Sequence, residues 1–191
     1  MRAVALALAS LVLVPAAFAQ DANVVERDFS GGGTVRLELG AGEYRIVGTN
    51  DEKLRIRWST RKPEDARRVR VSADVTGRAA TVHTGGVRNG LRVDIEMPSR
   101  SDVRLDLSAG EVRMRGIEGS KDISMWAGEV SIEVGDTARY RRVDASVRFG
   151  EIGAQPFNVT KGGIFRSFHW NGSGEYVLRA RLFAGEVRLL N

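Results

Sequence analysis

The chain alternates apolar and polar residues with a period of two along most of its length, the pattern of strands buried on one face. In VRLEL, residues 35–39, Val35, Leu37 and Leu39 share a face opposite Arg36 and Glu38. In LRIRW, 54–58, Leu54, Ile56 and Trp58 oppose Arg55 and Arg57, and VRVSADV (69–75), LRVDIEM (91–97) and DVRLDL (102–107) repeat the alternation. It continues through EVRM, EVSIEV, VDASVRF, EYVLRARL and EVRLL. Beyond residue 20 no stretch holds a 3.6-residue period over the ten or more residues a helix needs, and 63–68 is predicted to form a single turn. The expected fold class is all-β.

A repeat overlies the alternation. Glycine followed by glutamate and then Val, Ile or Tyr occurs at Gly42-Glu43, Gly110-Glu111, Gly128-Glu129, Gly150-Glu151, Gly174-Glu175 and Gly185-Glu186. Three of the five steps between these glycines fall near twenty residues, the length of one unit in a stacked repeat, and the longest approaches three such units. Glycine reaches positive φ without a clash, so each triplet reads as a corner: the residue after Glu returns to the core and the Glu is held outside. The next outward position is basic in three copies, Arg45, Arg113 and Arg188. Two glutamates stacked ~4.8 Å apart repel by roughly 3 kcal/mol at an effective dielectric of ~20, and an interleaved arginine cancels much of this. The pattern predicts an irregular β-solenoid, a β-helix-like stack in one domain, with these corners as its structural motif. Uncovered edge strands at its ends make end-to-end self-association a candidate mode of assembly.

The runs GGTVRLELGAGEYRIVGTNDEKLRIRW and VDIEMPSRSDVRLDLSAGEVRMRGIEGSKDISMWAGEVSIE carry a resemblance. They look like the putative adhesin family of exported bacterial proteins, also known as a domain of unknown function, whose most typical phrase corresponds to LDLSAGEVRMRGIEG. The similarity covers most of 32–191 and lapses between 61 and 90, where charged and glycine-rich segments replace the corner glutamate. It implies a repetitive, solenoid-like β architecture and an exported location, and it brings no catalytic activity with it.

The first residues refine the expected location. One Arg precedes an apolar run from Ala3 to Val14 that Ser10 alone interrupts, and Ala17-Phe18-Ala19 forms a small-x-small cleavage site. Residues 1–19 are therefore predicted to be a signal peptide, 20–33 a flexible lead-in, and 34–191 the repetitive domain of an exported protein, periplasmic or extracellular. The apolar run is shorter than the ~20 residues of a spanning helix, and no later run is long enough to span. The absence of cysteine excludes disulfides, thiolate metal sites and thiol nucleophiles. Without Arg2 the balance is 28 basic against 24 acidic residues. An exported basic chain points away from nucleic acid and toward anionic glycans, lipid head groups or envelope proteins.

Candidate chemistry is sparse. Zinc needs three or four ligands and the chain offers only His83 and His169 with no cysteine, while calcium-loop motifs are missing; no metal or cofactor is expected. The glycine cluster at 30–35 lacks the following Lys-Ser or Lys-Thr of a phosphate loop. Asp94, Glu96, Asp102 and Asp106 are the carboxylates a glycan-active enzyme of β-helix type would draw on. Arg55, Arg57, Arg61, Lys62, Arg67, Arg68 and Arg70 form the densest basic cluster, a candidate patch for an anionic partner. Phe168, His169 and Trp170 read as an end cap or a glycan-stacking platform. The function expected is that of a noncatalytic envelope or surface module; the alternatives are the glycan-active enzyme and a ligand-binding β-sandwich.

Overall fold

The structure is a computed structural model and describes residues 23–87 and 89–191. The predicted signal peptide lies outside the described residues. Twelve strands form one sheet: β1 Val24–Asp28, β2 Thr34–Leu39, β3 Gly42–Thr49, β4 Lys53–Thr60, β5 Arg70–Thr76, β6 Ala79–Gly85, β7 Leu91–Pro98, β8 Asp102–Arg115, β9 Lys121–Glu133, β10 Tyr140–Ala154, β11 Val159–Asn171 and β12 Tyr176–Leu190. The sheet is all-β as expected, and the single turn is there as 3₁₀ helix at Pro63–Arg68. The segment read as a lead-in is different: it carries β1, paired with β4, and the buried Phe29.

Most pairing is parallel and in register. β8 lies beside β9 and β9 beside β12, which lies beside β10. On its other side β8 takes β2 along its first half and β3 along its second. The same division recurs one layer out, where β6 pairs β2 and β7 pairs β3. Parallel neighbours need a return path, and only five residues join β8 to β9. Five residues reach at most ~18 Å, whereas the fourteen of β8 would extend ~46 Å if straight. Each long strand must therefore bend, and it bends at its glycine.

The burial pattern agrees. In β8, Val103, Leu105 and Leu107 face inward before the corner and Val112 and Met114 after it, so the parity of the buried positions changes across Ala109, Gly110 and Glu111. β9 repeats this with Ile123 and Met125 before, Val130 and Ile132 after. β12 does so with Leu178, Ala180 and Leu182 before, Val187 and Leu189 after. The core lies between the two arms of these bent strands, and each added rung buries another layer of it.

Two details differ from the reading of the repeat. The long gap between the first two corner triplets supplies one bent rung, β6 with β7; the rest goes to the antiparallel strands β4 and β5, which pair with β7 and β6. Gly174-Glu175 is no corner at all. It sits in the connection before β12, where the Gly174 and Glu175 amides donate to the Tyr140 and Arg139 carbonyls.

Candidate functional site

The five remaining corners align across the stack. Gly42 pairs Gly110, Gly110 pairs Gly128, Gly128 pairs Gly185, Gly185 pairs Gly150, and Gly150 meets Gly163 of β11. The glutamates that follow form their own row in the order Glu43, Glu111, Glu129, Glu186, Glu151. A shallow open groove of about 640 Å³ runs along the last four of these corners. Arginines lace it. Arg188 reaches Glu129 at 2.8 Å and Glu186 at 2.5 Å, and Arg113 pairs with Glu111. At the first corner the partners are exchanged: Glu43 takes Arg92 at 2.8 Å, while Arg45 turns to Asp94 at 3.5 Å. Three arginines thus offset part of the charge of the five glutamates, and Glu151 has no ion pair among the described residues.

The residue two positions before each corner glycine forms a second row, on the outer face. Its members are Gly40, Ser108, Trp126, Phe183 and Arg148, in stack order. Trp126 and Phe183 stack face to face with centroids 4.1 Å apart and planes 3° from parallel. The Arg148 guanidinium lies 5.5 Å from the Phe183 centroid and 5.3 Å from that of Phe165 on β11. Phe149 closes on Phe183 edge-on at 5.6 Å. This is a ladder of alternating π and cation–π contacts, each worth of order 0.5–1.5 kcal/mol. It is also open to water: Trp126 is 63%, Phe165 68%, Ile164 57% and Phe149 44% exposed. Phe165 is held at φ 51, in the left-handed region that bulky residues avoid. Sequence reading missed this ladder, although aligning the corner triplets puts Ser108, Trp126, Arg148 and Phe183 in one outward column.

The residues singled out from the sequence are placed as follows. Phe168 is buried, and Trp170 packs half-buried beside it against Phe157, with ring centroids 5.2 and 5.1 Å from Phe157, so these two close the end of the core. His169 points outward to Asp144 at 2.8 Å, and His83 lies 3.0 Å from Glu38. The basic cluster divides. Arg55 and Arg57 hold Glu96 at 2.7 and 2.8 Å, and Arg55 also holds Glu26. Hydrogen bonds from Lys53 and Arg55 pull the Glu26 carboxyl down to about 2. Arg61, Lys62 and Arg68 instead surround a hollow of about 500 Å³ together with Asp65, and Arg67 and Arg70 are exposed. Of the carboxylates, Asp94 and Glu96 lie on β7 in the arm after the corner, and Asp102 and Asp106 on β8 in the arm before it. Asp94 and Glu96 are ion-paired and Asp102 accepts the Ser120 amide at 2.7 Å, so the structure assembles no shared pair from them.

No family model and no curated protein matches the chain. Among solved structures, a putative cell adhesion protein from Clostridium sporogenes matches over 87% of this chain and 98% of its own, at 14% identity and a TM-score of 0.52. The likeness is one of fold. It agrees with the resemblance carried by the corner phrase. A putative adhesin from Bacteroides fragilis covers 88% of this chain and 98% of its own at 12% identity, and one from Parabacteroides merdae 88% and 82% at 12%; their TM-scores of 0.34 and 0.29 are too low to add to the argument.

Proposed function

We propose that this is an exported, noncatalytic surface or envelope module of adhesin type: an irregular solenoid that serves as a rigid frame and docks partners on its exposed aromatic ladder. The observation that carries the reading is the ladder itself. Four large apolar side chains stand open to water on β9, β10 and β11, joined through Phe183 of the intervening β12, and soluble proteins place contiguous exposed apolar surface chiefly where something binds. In-register pairing beneath them fixes their spacing, so little ordering entropy is lost on contact. The signal-like N-terminal run and the fold shared with a putative cell adhesion protein support the location.

A pull-down of cell-envelope fractions by the mature chain tests this. The double variant Trp126→Ala/Phe165→Ala is expected to lose tenfold or more in bound material while its melting curve stays within a few degrees of the parent, since both side chains are mainly exposed. Retention of full binding would sink the reading. Salt separates it from docking on the basic cluster. Contacts through the ladder should weaken no more than a few-fold in 0.5 M NaCl, whereas binding through Arg61, Lys62, Arg67, Arg68 and Arg70 would fall away as the Debye length shrinks to a few ångströms.

A further inference from the structure

The aromatic ladder stops one rung short of where it could. Phe183 covers one face of the Trp126 indole. On the other side the facing position is Ser108, and beyond it, on the connection between β2 and β3, are Gly40 and Ala41. No side chain of that floor is long enough to reach the second indole face, in keeping with the 63% exposure of Trp126. We propose that this vacant rung is a binding slot for an arginine side chain presented by a partner protein. The inference rests on the reading of the ladder as a contact surface and names the chemistry of the contact.

Two observations select a guanidinium. The rung spacing of ~4.8 Å admits one planar group against a ring face, and the ladder already holds one: Arg148 fills such a rung between Phe183 and Phe165. The rim is acidic. Glu38 and Asp106 are register partners on β2 and β8, both outward, and like charges directly opposite repel until a cation lies between them. Glu38 is shared with Arg36 at 3.8 Å and His83 at 3.0 Å. Asp106 has neutral Ser124 across the pair, and Arg181 one strand further is held by Asp122 at 2.7 Å. Arg104 shares the Asp106 face two residues back, opposite Asp122. A guanidinium stacks on indole and forks onto a carboxylate at once, which an ammonium does not do.

The exposed area is that of a docking patch. Taking 150–250 Å² for a fully exposed large side chain, Trp126, Phe149, Ile164 and Phe165 present roughly 500 Å². That equals the apolar part of a standard ~800 Å² patch; the single open indole face beside Asp106, not the area, selects an extended segment anchored by one side chain.

The test is a titration of the mature chain with acetyl-Gly-Arg-Gly-amide, following the indole N–H of Trp126 by NMR, the resonance being assigned by its loss in Trp126→Phe. A saturable shift in the millimolar range is expected, several-fold weaker with lysine in place of arginine and weaker again with the neutral isostere citrulline. Ser108→Phe, which fills the rung and extends the ladder, should abolish the saturable shift, and Asp106→Asn should weaken binding three- to tenfold. Equal response to all three peptides, or unchanged binding by Ser108→Phe, overturns the proposal. So does a neutral oligosaccharide such as cellohexaose saturating the shift when the arginine peptide does not. The two readings fail separately. If Ser108→Phe blocks the peptide while Trp126→Ala/Phe165→Ala leaves envelope capture intact, the slot stands and the docking role falls. If envelope capture is lost in the double variant but no arginine shift is seen, the role stands and the slot falls.

Discussion

Gly128→Ala is expected to cost about 4–5 kcal/mol of folding stability, at the top of the range for a single substitution. Gly128 sits at φ +128, where an L side chain is strained by ~1–3 kcal/mol whatever the space around it. The space is also taken: a Cβ there would overlap the carbonyl oxygen of Gly110 in the neighbouring rung and crowd the Met125 side chain. Met125 can swing aside, but a backbone carbonyl held in a parallel ladder cannot. The Gly110 carbonyl could retreat only by pulling its own rung from Gly42, whose carbonyl stands in the same relation to Gly110. The same close approach recurs at Gly185 and Gly150, so strain relieved at one rung reappears at the next. Gly153→Ala is the control, since its Cβ meets nothing within 4 Å and its φ is unexceptional. Urea unfolding of the two variants decides the matter. If Gly128→Ala unfolds at the same midpoint as Gly153→Ala, the corners are not close-packed in the way the row implies.

That expectation also marks what the sequence could and could not carry. Alternation is a local signal, so β2, β4, β7 and β8 were legible from residues such as Leu37, Ile56, Val93 and Leu105, each buried because its neighbours are not. β11 was not legible. It is an edge strand exposed along nearly all of its length, so VTKGGIFRSFHWN has no buried face to alternate with. β1 escaped for the same reason, with three of its five residues exposed. The corner triplet named the right glutamates at five places because it reports a physical need, a positive-φ or closely approached glycine. It erred at Gly174, where glycine meets a different need, passing close to the Arg139 backbone in a connection. Rung order was beyond local reasoning. β12 slides between β9 and β10, which only pairing across the fold can decide, and it is this insertion that sets Phe183 beside both Trp126 and Arg148. The ladder's members were each visible as outward residues, but their adjacency was not.

The second large effect is one of pH. Lys121 opens β9 between Val103 and Leu178 and is almost wholly buried. Its Nζ donates to the Tyr140 hydroxyl at 2.6 Å and to the Gly119 carbonyl at 3.2 Å, and stands 5.2 Å from the Tyr140 ring centroid. Among the described residues no carboxylate lies within ion-pair distance of it. Burial, helped by the charge of Arg139, pushes its ammonium down to about 8. In the unfolded chain the same group titrates near 10.5. Between these values the unfolded state binds the extra proton, so the contribution of Lys121 to stability rises with pH over this interval; Tyr140, pushed up to about 12 by burial, acts in the opposite direction above pH 10. Below about pH 8 both states are protonated and the cost of burying the charge is paid in full. A gap of this size corresponds to about 3 kcal/mol, taken to order of magnitude. Lys121→Met alone would strand the buried Tyr140 hydroxyl, which offsets the gain. The double variant Lys121→Met/Tyr140→Phe removes both polar ends together. It should be more stable than the parent by about 2 kcal/mol at pH 7, with most of the advantage lost as pH climbs from 8 to 10, below the range in which Tyr140 contributes. Urea titrations of the two proteins across that interval measure the difference directly. A parent and double variant whose stabilities run parallel from pH 7 to 10.5 would show that Lys121 keeps its proton in the fold, held by Tyr140 and Gly119 more firmly than its burial implies.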